Sequence, residues 1–141
     1  MTKSGSLRVS LGVFATAALI VGSGVLSAGA TSGPKLTVTP SKNLMSGETV
    51  RVTGTGFKKG DSVYVVECLI GAKGGAQCNE LGATPATISS KGLLPLTRFK
   101  VTTGSIGTGT CGTKPSNLKK CDVSVGNAQG TDSAVFPIIF K

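Results

Sequence analysis

The side chains with a chemical spacing in this 141-residue chain are its four cysteines, at positions 68, 78, 111 and 121. They fall into two successive pairs, each closing a short Gly-rich stretch. Other chemistry is scarce. The chain has no histidine, which removes Ser–His and Cys–His nucleophile pairs. The six carboxylates, Glu48, Asp61, Glu67, Glu80, Asp122 and Asp132, are scattered. Glu67 and Asp122 each neighbour a cysteine, but no spacing marks an acid–base pair. With the cysteines oxidised and histidine absent, no soft ligand set remains for a transition metal. The expectation is therefore not an enzyme, with no cofactor and no metal.

Oxidised cysteines require an oxidising compartment, and the N-terminus carries an export pattern. Lys3 and Arg8 form a basic region, residues 11–26 are uncharged and mostly apolar, and Ala28-Gly29-Ala30 has the form of a cleavage site. Residues 1–30 thus read as a secretory signal peptide and residues 31–141 as one domain. Gly22, Ser23, Gly24 and Ser27 make the apolar run a poor membrane span, so none is expected after cleavage. Four cysteines in an exported chain imply two disulfides, and sequence alone allows three pairings. The local pairing, Cys68–Cys78 with Cys111–Cys121, is favoured because each bond then encloses a short turn.

The elements that would position these bonds are strands. Val63 to Val66 places four β-formers in a row before Cys68, and the chain turns through Gly71, Gly74 and Gly75 before Cys78. That is a clamped hairpin. Lys35–Thr39, Thr49–Thr53 and Cys121–Val125 alternate apolar and polar residues. Ala86–Ser89, Leu93–Val101 and Ala134–Phe140 complete the set. Pro95 places its strand at an edge or a bulge. Residues 102–117 read as a loose polar run. No sustained helical period follows residue 30. The expectation is an all-β, seven-stranded, immunoglobulin-like Greek-key sandwich with two local disulfides. With few aromatics, its core must rest on Val, Leu and Ile.

Charge narrows the partners. Removing Lys3 and Arg8 from the 15 basic residues, with all 6 acidic ones retained, leaves a net charge of +7. The basic residues come in pairs at most, Lys58-Lys59 and Lys119-Lys120, without interleaved aromatics, so sequence-specific nucleic-acid contact is not expected. An anionic cell-envelope polymer or lipid surface is the natural partner for a basic exported domain. Pro95, Pro137 and edge lysines discourage strand pairing between copies, so a monomer is expected.

Val38-Thr39-Pro40-Ser41, Leu44, Gly47, Val50-x-Val52-x-Gly54-x-Gly56, Gly60, Cys68, Cys78-Asn79, Cys121-x-Val123 and Gly126-Asn127 together resemble the neocarzinostatin family. These are secreted apoproteins that carry enediyne chromophores. The resemblance spans Leu36 to Phe140. It implies a seven-stranded sandwich, the local disulfide pairing, and a cleft floored by the first disulfide. Carried over by position, the cleft would be lined by Cys68, Ile70, Ala76, Cys78, Asp122, Ser124 and Gly126. Where the family's namesake has a bulky indole, this chain has Ile70. Where it has a phenyl ring, this chain has Leu81, Gly82, Ala83 and Thr84. Where further aromatics would sit before Cys111, it has Gly104-Ser105-Ile106-Gly107. The expected function is a secreted binding module holding a small apolar ligand, less planar than an enediyne. One alternative is a basic protein of the cell envelope with a vestigial cleft. The other is a true enediyne carrier with DNA-directed antimicrobial action through its chromophore.

Overall fold

The computed structural model of the chain describes residues 32–141. The leader expected over residues 1–30 lies outside the described residues. Nine strands follow in order: β1 (Lys35–Thr39), β2 (Thr49–Thr55), β3 (Ser62–Leu69), β4 (Thr84–Thr87), β5 (Leu94–Lys100), β6 (Gly104–Ile106), β7 (Gly109–Cys111), β8 (Cys121–Gly126) and β9 (Ser133–Ile138). Three single-turn 3-10 segments interrupt the loops, at Gly75–Gln77, Glu80–Gly82 and Pro115–Asn117. The strands form a three-stranded sheet, β1-β2-β5, a four-stranded sheet, β4-β3-β8-β9, and a two-stranded ribbon, β6-β7.

The two large sheets make a sandwich because each has one apolar face. Leu36 and Val38 of β1, Val50 and Val52 of β2, and Phe99 of β5 are buried from one sheet. Val63 and Val65 of β3, Val123 and Val125 of β8, and Ile138 of β9 are buried from the other. Alternation sends the intervening residues outward. All pairings within the large sheets are antiparallel. The strand prolines Pro85, Pro95 and Pro137 all sit on edge strands, β4, β5 and β9, where a missing N–H breaks no central ladder. The β2-β5 register slips between Val52 and Gly54, beside Pro95.

The strand count is nine where the sequence reading expects seven. The two additional strands are β6 and β7, inside the run that reads as loose and polar. Its composition is polar on average, but Ile106 and Cys111 are buried at 2% and 0% exposure and dock the ribbon on the core. Two apolar residues suffice because the ribbon has one inward face only. Cys68 bonds Cys78, and Cys111 bonds Cys121. The second bond therefore ties the ribbon to the start of β8.

Candidate ligand-binding cleft

β3 and β8 are neighbours, with Tyr64 opposite Gly126, Val66 opposite Ser124, and Cys68 opposite Asp122. These six residues share the face of the four-stranded sheet that points away from the core. β9 extends it, placing Val135 opposite Ser124 and Ser133 opposite Gly126. The result is an apolar strip on an outer face, where polar residues are usual. Tyr64 is 49% exposed and Val135 63%.

Two loops wall this strip. One is the clamped hairpin, which contributes Ala72, Lys73, Gly74, Gly75 and Cys78; the other is the β8-β9 turn, with Asn127, Ala128 and Gly130. Together they enclose a cleft of about 650 Å³. The floor is Tyr64, Val66, the Cys68–Cys78 bond, Ser124 and Gly126. Most wall side chains are Gly or Ala, so the cleft is wide for its length of chain.

Both walls are fixed by hydrogen bonds. In the first, Asn79 N–H donates to the Glu67 carbonyl at 2.7 Å, and Cys78 N–H donates to the Gly75 carbonyl at 2.8 Å. In the second, the Asn127 side-chain NH2 donates to Asp61 Oδ2 and to Thr131 Oγ1, both at 3.0 Å, while its Oδ1 accepts from Thr131 N–H. Asp132 Oδ2 accepts from Lys58 N–H at 2.8 Å. The β8-β9 turn is thus tied to the turn that precedes β3.

Of the residues expected in the cleft, Cys68, Cys78, Ser124 and Gly126 line it. Ile70, Ala76 and Asp122 do not. Ile70 follows the end of β3, is 53% exposed, and its N–H donates to the Lys120 carbonyl at 2.9 Å, just before β8. Ala76 lies in the 3-10 turn and faces a smaller depression of about 380 Å³, shared with Ser105, Ile106 and Gly107 of the ribbon. Asp122 has the right parity but is 5% exposed beneath the surface, where Ser124 Oγ donates to its Oδ1 at 2.8 Å. Burial raises the Asp122 pKa, and the Ser124 bond partly offsets that.

Tyr64, Val66 and Val135 were missed. Strand parity alone could have found the first two, since they precede Cys68 by four and two residues. The continuous apolar run Val63–Val66 is itself the signal, because a half-solvated strand should alternate.

Glu67 points the other way, into the core, and is 0% exposed. Thr102 N–H donates to its Oε2 at 2.8 Å, and Thr102 Oγ1 donates to the same oxygen at 3.3 Å. Its Oε1 lies 3.6 Å from Cys111 Sγ. Desolvation pushes its pKa up to about 7, against the two Thr102 bonds. Glu67, Cys111 and Cys121 form a cluster of metal-ligand types. The two sulfurs are bonded to each other, however, and a disulfide sulfur is not a thiolate ligand. Among the described residues, no helix is long and apolar enough to cross a membrane.

Comparison with known proteins places this geometry in context. The model of the Neocarzinostatin family matches residues 36–140. Macromomycin of Streptomyces macromomyceticus is 28% identical over 106 residues, covering 72% of this chain and 73% of that protein. The solved structure of macromomycin superposes with a TM-score of 0.60 at 28% identity, covering 77% of this chain and all of that one (100%). The solution structure of apokedarcidin gives a TM-score of 0.54 at 27% identity over 78% of this chain and 100% of its own.

Proposed function

The chain belongs to the neocarzinostatin family, and on that premise we propose that it is a secreted, non-enzymatic carrier of a small apolar molecule held in the cleft beside Cys68–Cys78. The observation that carries the reading is the apolar outer sheet face, Tyr64, Val66 and Val135, walled on two sides to a volume of about 650 Å³. That volume falls in the range of small-molecule sites, roughly 300–1,000 Å³. Neocarzinostatin-family relatives are chromophore-binding apoproteins, which supports a binding role over a catalytic one. The relatives are secreted and two disulfides suit an extracellular setting, so the proposal includes export and removal of residues 1–30.

The ligand class follows from the lining. Among the described residues Tyr64 is the one aromatic lining the cleft, so stacking on a large planar system is limited to one ring. The remaining floor is aliphatic and disulfide. Ser124 Oγ spends its proton on Asp122 and offers the ligand only lone pairs. A compact apolar molecule carrying one hydrogen-bond donor fits this set.

Native mass spectrometry of the protein recovered from its own host's culture medium tests the reading. The expected spectrum shows an extra mass that is lost on denaturation. A second arm titrates 8-anilinonaphthalene-1-sulfonate, read through its own fluorescence and that of Tyr64, the single tyrosine in a chain without tryptophan. Val66→Arg puts a charge on the floor without touching the core and should abolish the signal. A bare protein whose dye binding is unaltered by Val66→Arg would overturn the proposal.

A further inference from the structure

The outer face of the other sheet is basic and hydroxyl-rich, with Leu96 of β5 its one large exposed apolar side chain among the described residues. β1, β2 and β5 send Lys35, Thr37, Thr39, Thr49, Arg51, Arg98 and Lys100 outward, all exposed. Arg51 lies directly opposite Arg98 in the β2-β5 ladder, and Thr39 lies opposite Arg51 in the β1-β2 ladder. Lys100 pairs with Thr49 one step along. Two arginines in direct cross-strand register repel each other, a destabilising arrangement that a bound anion would relieve.

Among the described residues, no acidic side chain forms an ion pair on this face. Glu48 is the acidic residue at its border, and its Oε2 accepts from Met45 N–H at 2.9 Å. Glu67 is in the core, Asp122 is on the opposite sheet, and Asp61 and Asp132 serve the turns around Lys58 and Asn127. Among the described residues the one ion pair within 4 Å is Lys58–Asp61, away from this sheet.

We propose that the outer face of the β1-β2-β5 sheet binds an anionic phosphodiester polymer that carries no bases, with Arg51 and Arg98 as its central anchors. Each guanidinium presents a planar fork that takes a phosphate through two parallel N–H bonds. Strands about 4.8 Å apart set the two forks side by side for neighbouring anionic groups of one chain. The flanking threonines add hydroxyls suited to a sugar or polyol backbone. No aromatic side chain projects from this face, so there is no platform for base stacking. The face of a three-stranded sheet also presents no free helix or two-stranded ribbon to enter a duplex groove. The polymer class is therefore a sugar- or polyol-phosphate chain rather than a nucleic acid. This face is separate from the cleft, and the inference stands whether or not the cleft is occupied.

The test measures binding of the full chain to immobilised poly(glycerol phosphate) across a salt series, with single-stranded and duplex DNA of equal charge as comparison surfaces. Arg51→Gln/Arg98→Gln removes the anchors. Lys119→Gln/Lys120→Gln removes the same charge from an exposed pair before β8. The first variant should weaken binding by at least about tenfold and flatten the salt dependence by about one unit per arginine, while the second changes affinity by less than about twofold. Its melting temperature should stay level or rise, because the like-charge pair is gone. Equal losses in the two variants would reduce the effect to net charge and overturn the proposal. Binding to either DNA as tight as to poly(glycerol phosphate) would overturn the assignment of the polymer class.

Discussion

Glu67 is the residue whose placement costs the fold something measurable. Its pKa is about 7 in the folded protein, against an ordinary value of 4.5, mainly because burial desolvates the charged form. Between those values the unfolded chain has released this proton and the folded chain still holds it. The unfolded state binds fewer protons there, so stability falls as pH rises through that window. The full shift corresponds to about 3 kcal/mol, present as a loss above pH 7 and absent below about 4.5. Urea unfolding should show the wild type more stable at pH 5 than at pH 8 by about 2–3 kcal/mol. Glu67→Gln keeps an oxygen for the two Thr102 donors and removes this titration, so its stability should fall much less between those pH values, by what Asp122 alone contributes. A wild type that gains stability from pH 5 to pH 8 would show that Glu67 is charged in the fold. The sequence displayed Glu67 only as a carboxylate beside a cysteine. Its burial depends on strand parity and on Thr102 arriving from β5, which no local pattern encodes.

At the scale of elements, alternation made the sandwich legible and hid the ribbon. Leu36/Val38, Val50/Val52 and Val123/Val125 announce their strands because a period of two survives any choice of partner. The floor of the cleft was half legible through the family resemblance, which implied Cys68, Ser124 and Gly126 among others, and these are residues whose strand parity does face the cleft. Ile70 and Ala76 do not face it, because they sit past the strand end, where the turn and the bond to Lys120 decide direction. The ribbon meets the hairpin at its tip. Gly107, at its tip, has φ +53°, and a Cβ there would collide with the Ala76 carbonyl in the hairpin wall. Gly107→Ala should therefore displace the 3-10 turn Gly75–Gln77 as well as strain the ribbon. Amide hydrogen exchange should speed up at Gln77 and Cys78, and stability should drop by more than about 1 kcal/mol. Unchanged protection at both amides would mean the ribbon tip and the wall are not in contact. Opening the clamp itself tests the wall from the other side. Cys68→Ala/Cys78→Ala releases a short loop and should cost about 3 kcal/mol of stability in the chain-entropy account. The ladder β3-β8 should persist, since its hydrogen bonds do not depend on that bond, and far-UV dichroism at low temperature would show it.

Over the whole molecule, the sandwich separates two outer faces of unlike chemistry by one shared core. The cleft face is apolar and walled; the opposite face carries Arg51, Arg98, Lys35 and Lys100. The core between them is a packed layer of Val, Leu, Ile and Phe side chains without a polar chain linking the faces, Glu67 being bonded to Thr102 rather than to either surface. Packed apolar layers transmit a binding event only if they have a second arrangement to adopt. Neither disulfide links the two large sheets: Cys68–Cys78 closes the hairpin and Cys111–Cys121 joins the ribbon to β8. Electrostatics also cannot couple the faces at working ionic strength. Two sheets lie about 10 Å apart, and outward side chains add to that, which exceeds the screening length of about 8 Å at physiological salt. Occupancy of the two faces should therefore be independent. The dissociation constant of the naphthalene dye for the cleft should change by less than about twofold when poly(glycerol phosphate) is added to saturation, a coupling below about 0.4 kcal/mol. A larger change would mean that the polymer reaches the cleft rim at Lys73, or that the two sheets move relative to each other on binding. Repeating the titration with Lys73→Gln would tell those apart, because only the first depends on that side chain.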